Sequence, residues 1–430
     1  MTMTATGWLD GFEVASPILD PALPALARAW VADSRPGATP IHTRTHTALY
    51  RGPDDVSARV SFELAPARDG DGTGEDLTLL VRSRGGNTVV WEFPQDPGVP
   101  GLEAMLDPRS AAEVLARAVP ELSLGAGRHA DLRCEATLVH HPRTGACVLR
   151  YDLSGRDGRT HRQVYAKVYP SVAEVRRSAA AHEAVAGRLL HGRDVVVRLP
   201  RLLGLDIDTR AVFIESLGSH DTPSAEVRPD EAALVLATVH GATALHDLPA
   251  VGAALDIDGV RDELALVRTA WPELAARVAE HVDAAAQRLD RSPEGRPVLS
   301  HGDFTPSQLL RMPRDVIGLL DLDTLRRAEP AADLGRYLAY ASVRLARSES
   351  AGLADPTESV GERLSPTIRD LYAVVLGAYG VTDDALTERT LAHTRLQLAL
   401  LALRAARRFK DDRVRLALAL LDHASSRRPS

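Results

Sequence analysis

The chain has 430 residues, 25% of them charged and 45% hydrophobic, as expected of a soluble globular protein with two or three domains or lobes. A net charge of −7 without a long basic run argues against nucleic acid as the main partner, and no stretch of about eighteen apolar residues could cross a membrane. Met1–Ser16 lacks a basic segment followed by an apolar core, so the expected compartment is the cytoplasm.

Ala22 to Ala32 reads as a short helix. Val56 to Leu64, Leu77 to Arg84 and Thr88 to Phe93 read as strands of an antiparallel sheet, joined by Gly- and Asp-rich links such as Arg68 to Gly74. Pro94 to Pro100 is a Pro/Gly loop, and Pro108 to Val119 is a predicted helix. His42 and His46 have an i,i+4 spacing that serves a metal only on a helix, and their Thr-rich surroundings favour strand or loop. No residue pattern that carries chemistry is found in residues 1–125.

Glu135 to Val139 and Val148 to Leu153 form a predicted hairpin, with turn residues from His141 to Gly145 and no G-x-G-x-x-G. Cys134 and Cys147 flank it and are expected to be reduced packing residues rather than a disulfide. Gln163 to Tyr169 alternates as a strand and contains Lys167. The chain has 51 Lys plus Arg but only two lysines, Lys167 and Lys410. Ser171 to Leu190 reads as a helix carrying Glu174 and Glu183, with Ser171 as N-cap. Val212 to Gly218 reads as a buried strand running into a loop. Beyond about residue 222 the pattern is mostly helical: Asp230 to Leu245, Val260 to Leu289 with a break near Trp271 at Pro272, Leu334 to Arg347, Pro366 to Tyr379, Asp383 to Lys410 and Asp412 to Ala424.

Within that helical part, one block stands out. His301-Gly302-Asp303 is followed by Gln308 five residues after Asp303 and by Asp321 thirteen residues later, each flanked by apolar residues. Phosphoryl transfer from ATP needs a carboxylate near the accepting hydroxyl, and an amide plus a carboxylate to hold Mg²⁺ on the phosphates. A short turn, a strand from Gln308 to Arg311 and a second strand from Val316 to Leu322 would bring Asp303, Gln308 and Asp321 to one edge. Strand alternation would put Asp321 and Asp323 on one face.

This block resembles the catalytic and metal-binding loops of aminoglycoside phosphotransferase-like kinases, whose loop reads H-G-D-x-x-x-x-N before a hydrophobic strand ending in Asp. Gln308 stands where most members have Asn; sugar kinases of the maltokinase type carry Gln there too. The resemblance implies an α+β, protein-kinase-like bilobal fold with a β-rich N-lobe and a helical C-lobe, preceded by an N-terminal α+β cap domain. The implied divisions are 1–125 for the cap, 126–220 for the N-lobe and 221–430 for the C-lobe. It implies an ATP-dependent, Mg²⁺-requiring kinase for a hydroxyl of a small polar molecule: a sugar, an amino sugar or an aminoglycoside. Asp303 is then the catalytic carboxylate, and Gln308, Asp321 and Asp323 the metal side. Lys167 would contact the α- and β-phosphates, with Glu183, sixteen residues later, as its ion-pair partner in preference to Glu174. Glu215 and Leu217 would offer hinge backbone groups to the adenine edge. Glu329-Pro330-Ala331-Ala332-Asp333-Leu334 resembles the family's D-P-x-x-D-L segment, where the second Asp braces the catalytic loop. His301 is expected to be a buried hydrogen-bonding brace. The competing expectation is a nucleotide-binding pseudokinase or regulatory module, favoured by Gln308 and by the missing glycine loop.

Overall fold

A computed structural model describes residues 22–36, 38–65, 75–122, 133–142, 145–154, 161–185, 189–218, 226–242, 248–349 and 364–425. The amino-terminal stretch and the Arg68–Gly74 link lie outside them. The chain divides into two compact units: Met1–Pro97 with Arg261–Glu280 and Leu400–Arg415, and Gly98–Val260 with His281–Ala399 and Leu416–Ser430.

In the first unit, helix α1 (Ala22–Ser34) covers an antiparallel meander of β1 (Pro40–Gly52), β2 (Asp55–Leu64), β3 (Glu75–Arg84) and β4 (Asn87–Glu92). Leu23, Ala27 and Val31 recur every four residues and meet the alternate residues Ala58, Val60, Phe62 and Leu64 of β2 and Leu77, Leu79 and Val81 of β3. His42 and His46 lie on β1, a strand, where His46 meets Ser61 Oγ at 2.7 Å. Tyr50, Trp271 and Phe409 stack edge to face, and the Arg407 guanidinium donates to the Tyr50 carbonyl and pairs with Glu263.

The second unit begins with α2 (Leu102–Leu106) and α3 (Pro108–Ala118). Asp107 caps α3 by accepting from the Ser110 N–H at 2.8 Å, and Pro108 occupies its first turn. Next come β5 (Arg133–His140), β6 (Cys147–Ser154), β7 (His161–Val168), α4 (Val172–Val185), β8 (Leu189–His191), β9 (Val196–Arg198), β10 (Leu202–Asp206) and β11 (Ala211–Glu215). Five of these strands form an antiparallel sheet in the order β10-β11-β7-β6-β5, with Lys167 central, between Val148 and Val212. Helices α2 and α3 pack on it: Tyr151 donates to the Met105 carbonyl at 2.6 Å, and a Cβ on Gly204 would meet the Ala118 carbonyl at 1.8 Å. Cys134 and Cys147 form no disulfide, and burial pushes the Cys134 thiol up to about 12.

The remaining elements are α5 (Pro229–His240), α6 (Ala253–Ala270), α7 (Pro272–Arg291), β12 (Val298–Ser300), β13 (Leu309–Arg311), β14 (Val316–Leu319), β15 (Arg326–Ala328), α8 (Pro330–Glu349), α9 (Leu364–Tyr379), α10 (Asp384–Arg407) and α11 (Asp411–Ser425). Strand β12 pairs with β15, and β13-β14-β9-β8 form a second small sheet in which β14 and β9 are parallel. A core from α5, α8 and the loop strands closes over Phe304, Leu319, Leu322 and Leu325, all buried. The expected break at Pro272 is where α7 begins.

Three local expectations are corrected. The predicted helix Ser171 to Leu190 ends at Val185 among the described residues, and Leu189–His191 is a strand. Gln308 closes a 3₁₀ turn, so β13 starts one residue later. Strand β14 stops at Leu319; Asp321 and Asp323 stand at a left-handed residue and a 3₁₀ turn, not on one face of a strand.

Candidate active site

The loop after β12 is held from below by one carboxylate. Asp333, in the first turn of α8, accepts from Ser300 Oγ at 2.9 Å, from the His301 N–H at 2.7 Å and from the Gly302 N–H at 2.9 Å. His240 Nε2 lies 3.3 Å away. Burial alone would raise the Asp333 carboxyl, but His240, His301 and Ser300 outweigh it and hold the group well below the carboxylate range. His301 is fully buried and its Nε2 meets the Leu320 carbonyl at 2.8 Å, a brace between the loop and the end of β14. Gly302 has φ +77°, and a Cβ there would come within 2.4 Å of the Thr324 carbonyl, so only glycine fits this turn. Phe304, fully buried, pins the loop into the core.

These supports leave the Asp303 side chain partly exposed. Its Oδ1 accepts from Arg336 Nη1 at 2.6 Å. Burial pushes the Asp303 carboxyl up, Arg336 opposes that shift, and Asp321 adds to it. A raised carboxyl with one oxygen committed and the other open is suited to taking a proton from a nearby hydroxyl. Arg336 carries no motif of its own. The one sequence signal for it is its position three residues after Asp333, on the same helix face.

Asp321 has φ +61°, a conformation uncommon for residues other than glycine and one that concentrates at functional sites. It turns the side chain out of the strand direction toward Lys167, whose Nζ lies 2.5 Å from Asp321 Oδ1 and 3.0 Å from Asp323 Oδ2. Burial works against the charged ammonium, but the two carboxylates outweigh it and raise Lys167. Asp323 is also held by Tyr169 Oη at 2.7 Å and Ser178 Oγ at 2.8 Å. Gln308 Nε2 lies 3.3 Å from Asp321 Oδ2.

The expected partner of Lys167, Glu183, is exposed and makes no ion pair with it. The inward face of α4 carries Ser178 and His182. Glu183 is five residues past Ser178, about 140° around the helix, which turns it to solvent. Glu174 is engaged with Ser171 instead. Tyr169 and Ser178 were not singled out from the sequence, although Tyr169 lies two residues past Lys167 and so shares its face.

Oxygen donors dominate the cluster, which fits a hard divalent cation. With its amide turned over, Gln308 would offer Oε1 beside Asp321 Oδ2 as an oxygen ligand to such a cation.

Beside β11, Glu215 spends its side chain on Arg198 at 2.7 Å and Arg201 at 3.6 Å, leaving any hinge role to its backbone. Leu217 is buried against Gly318, and Leu310 lies under Gly218; added Cβ atoms at the two glycines would meet these leucines at 3.1 Å. The result is an apolar patch beside the residues that follow β11. Leu310 had no sequence signal beyond its place two residues after Gln308.

The sequence model of the phosphotransferase enzyme family (APH) matches residues 149–363, which span β6 to the residues just before α9 and include every residue of this cluster. The chain belongs to the phosphotransferase enzyme family. It is a phosphotransferase, and its five-stranded antiparallel sheet followed by a mainly helical part is the α+β, kinase-like fold that the resemblance implied. Among solved structures it is similar to an ethanolamine kinase of Plasmodium vivax, at 10% identity and TM-score 0.47, over 77% of this chain and 95% of that one. It is also similar to aminoglycoside phosphotransferase APH(3″)-Id of Streptomyces rimosus, at 21% identity and TM-score 0.41, over 68% and 98%. A third is spectinomycin phosphotransferase APH(9)-Ia in complex with ADP and spectinomycin, at 12% identity and TM-score 0.44, over 73% and 98%. No curated protein matches the chain in sequence. Among the described residues, no helix is long and apolar enough to cross a membrane.

Proposed function

We propose that this phosphotransferase moves the γ-phosphoryl group of ATP to a hydroxyl of a small polar molecule, a sugar, an amino sugar or an aminoglycoside. The observation that carries the reading is the meeting of Lys167 and Gln308 on Asp321, with Asp303 near enough for the Asp321 charge to raise its carboxyl. Asp303 takes the hydroxyl proton on its open Oδ2, while Arg336 fixes its orientation through Oδ1. Lys167 holds the α- and β-phosphate oxygens by a compact ammonium that an Arg fork would not reproduce. Glu215 and Leu217 present backbone groups to the adenine edge beside the Leu217–Leu310 patch. A Mg²⁺ held by Gln308 and Asp321 would neutralise charge on the phosphate oxygens when bound. Catalysis then rests chiefly on in-line positioning and charge stabilisation.

The test is a panel of sugars, amino sugars and aminoglycosides incubated with labelled ATP and Mg²⁺, with Asp303→Asn as the control. Transfer of label to one acceptor, lost in the control, supports the reading. A second reading, a nucleotide-binding module without transfer, draws on the Gln308 amide nitrogen facing Asp321 and on the absence of a glycine-rich sequence between β5 and β6. It predicts Mg·ATP binding with no transfer to any acceptor.

A further inference from the structure

The phosphate-contacting lysine of a kinase needs a carboxylate to orient it. In this chain the helix that would supply one, α4, turns Glu183 to solvent and presents a hydroxyl, Ser178, instead. The carboxylate nearest that hydroxyl is Asp323, and its two oxygens are both engaged. Oδ1 accepts from Ser178 Oγ at 2.8 Å. Oδ2 accepts from Tyr169 Oη at 2.7 Å and faces Lys167 Nζ at 3.0 Å. The two hydroxyls lie 2.8 Å apart. Ser178 spends its one proton on Asp323 Oδ1, and Tyr169 divides its one proton between Ser178 Oγ and Asp323 Oδ2.

The neighbouring carboxylate is arranged differently. Asp321 Oδ1 takes Lys167, but among the described residues Oδ2 has only the Gln308 amide, at 3.3 Å. The Asp321 side chain is 37% exposed against 22% for Asp323. Two carboxylates two residues apart therefore have separable surroundings: one faces outward with an oxygen to offer, the other is surrounded by three donors.

We infer that Asp323 is the anchoring carboxylate of Lys167, fixed by Tyr169 and Ser178 in place of a helix glutamate, and that it is a positioning residue and not a metal ligand. The inference rests on the kinase reading of Lys167 but needs no turnover to be tested. It ties α4 to the turn after β14 through Ser178. It also leaves Gln308 and Asp321 to face a Mg²⁺ without Asp323.

Two lysines in 430 residues make the test direct. The metal-free full-length protein is treated at one fixed pH with a limiting amine-reactive acylating reagent. Peptide mass spectrometry then compares Lys167 with Lys410 as internal reference. Asp323→Asn is expected to raise the Lys167/Lys410 labelling ratio by about tenfold, the scale for losing one charge-assisted hydrogen bond. The Tyr169→Phe/Ser178→Ala double variant changes no oxygen on the metal side and is expected to shift the ratio in the same direction, so the test survives if Asp323→Asn does not fold. In parallel, Mn²⁺ bound in the presence of ATP is counted by electron paramagnetic resonance, with the same stoichiometry expected in wild type and both variants. An unchanged labelling ratio in a folded variant overturns the anchoring role. Loss of a bound Mn²⁺ in Asp323→Asn overturns the exclusion from the metal site. If wild type binds no Mn·ATP, the proposed function fails, while the labelling ratio still decides the anchor.

Discussion

Arg336 Nη1 lies 2.6 Å from Asp303 Oδ1, so the carboxylate proposed to receive a substrate proton is already paired with a cation from the second turn of α8. The pair separates the two oxygens of Asp303 into one that is held and one that is free. It also opposes the upward push of burial on the carboxyl.

Arg336→Gln should therefore move the acid limb of the kcat/KM profile to higher pH. Asp303 must be ionised to act, burial raises its carboxyl, and Arg336 lowers it; removing Arg336 leaves the raising influences unopposed. The rate should fall on the acid side and change little on the alkaline plateau. A pH–rate profile of wild type and variant checks this, and an unmoved limb would show that Arg336 does not tune the carboxyl.

Asp303→Asn keeps shape and removes the proton acceptor. Turnover should fall by roughly 10²–10⁴ while ATP affinity, measured by calorimetry, stays within about twofold. A variant turning over at the wild-type rate would take Asp303 out of this role.

Asp333→Ala should be the most destabilising single change around the site. It leaves the Ser300 hydroxyl and the His301 and Gly302 amides without their shared acceptor inside the core. A loss of about 3–5 kcal/mol in urea unfolding is expected. The pH dependence has a definite sign. The folded Asp333 carboxyl is depressed, so its stabilisation is complete above the unfolded value near about pH 4 and fades as pH falls further. Wild type should thus lose stability in that acid window, and Asp333→Asn should show a shallower slope there.

The parts of the site carried by residue identity were legible in the sequence: the His301–Asp303 turn, the two-lysine composition that isolates Lys167, and the brace at Asp333. Those that depend on backbone conformation were not. Alternation predicts a strand through Leu322, but Asp321 adopts φ +61° and a 3₁₀ turn follows, so Asp321 and Asp323 reach Lys167 by a bend that no period reveals. Sixteen residues separate Lys167 from Glu183 as the resemblance requires, yet the helical phase is set by Ser178 and His182 packing inward. Strand β1 was missed for a related reason. Register shifts after Pro40, Thr45 and Tyr50 break the two-residue alternation that marks a strand.

The most direct test of a nucleotide site built on Asp321 is thermal unfolding with ATP, with and without Mg²⁺, on wild type and Asp321→Ala. At about 100 times its Kd a specific ligand adds roughly 2.7 kcal/mol. Wild type should show a Mg²⁺-dependent rise in Tm that disappears in Asp321→Ala. A rise that persists in the variant would contradict the metal assignment, and no rise in wild type at millimolar Mg·ATP would contradict ATP as the donor.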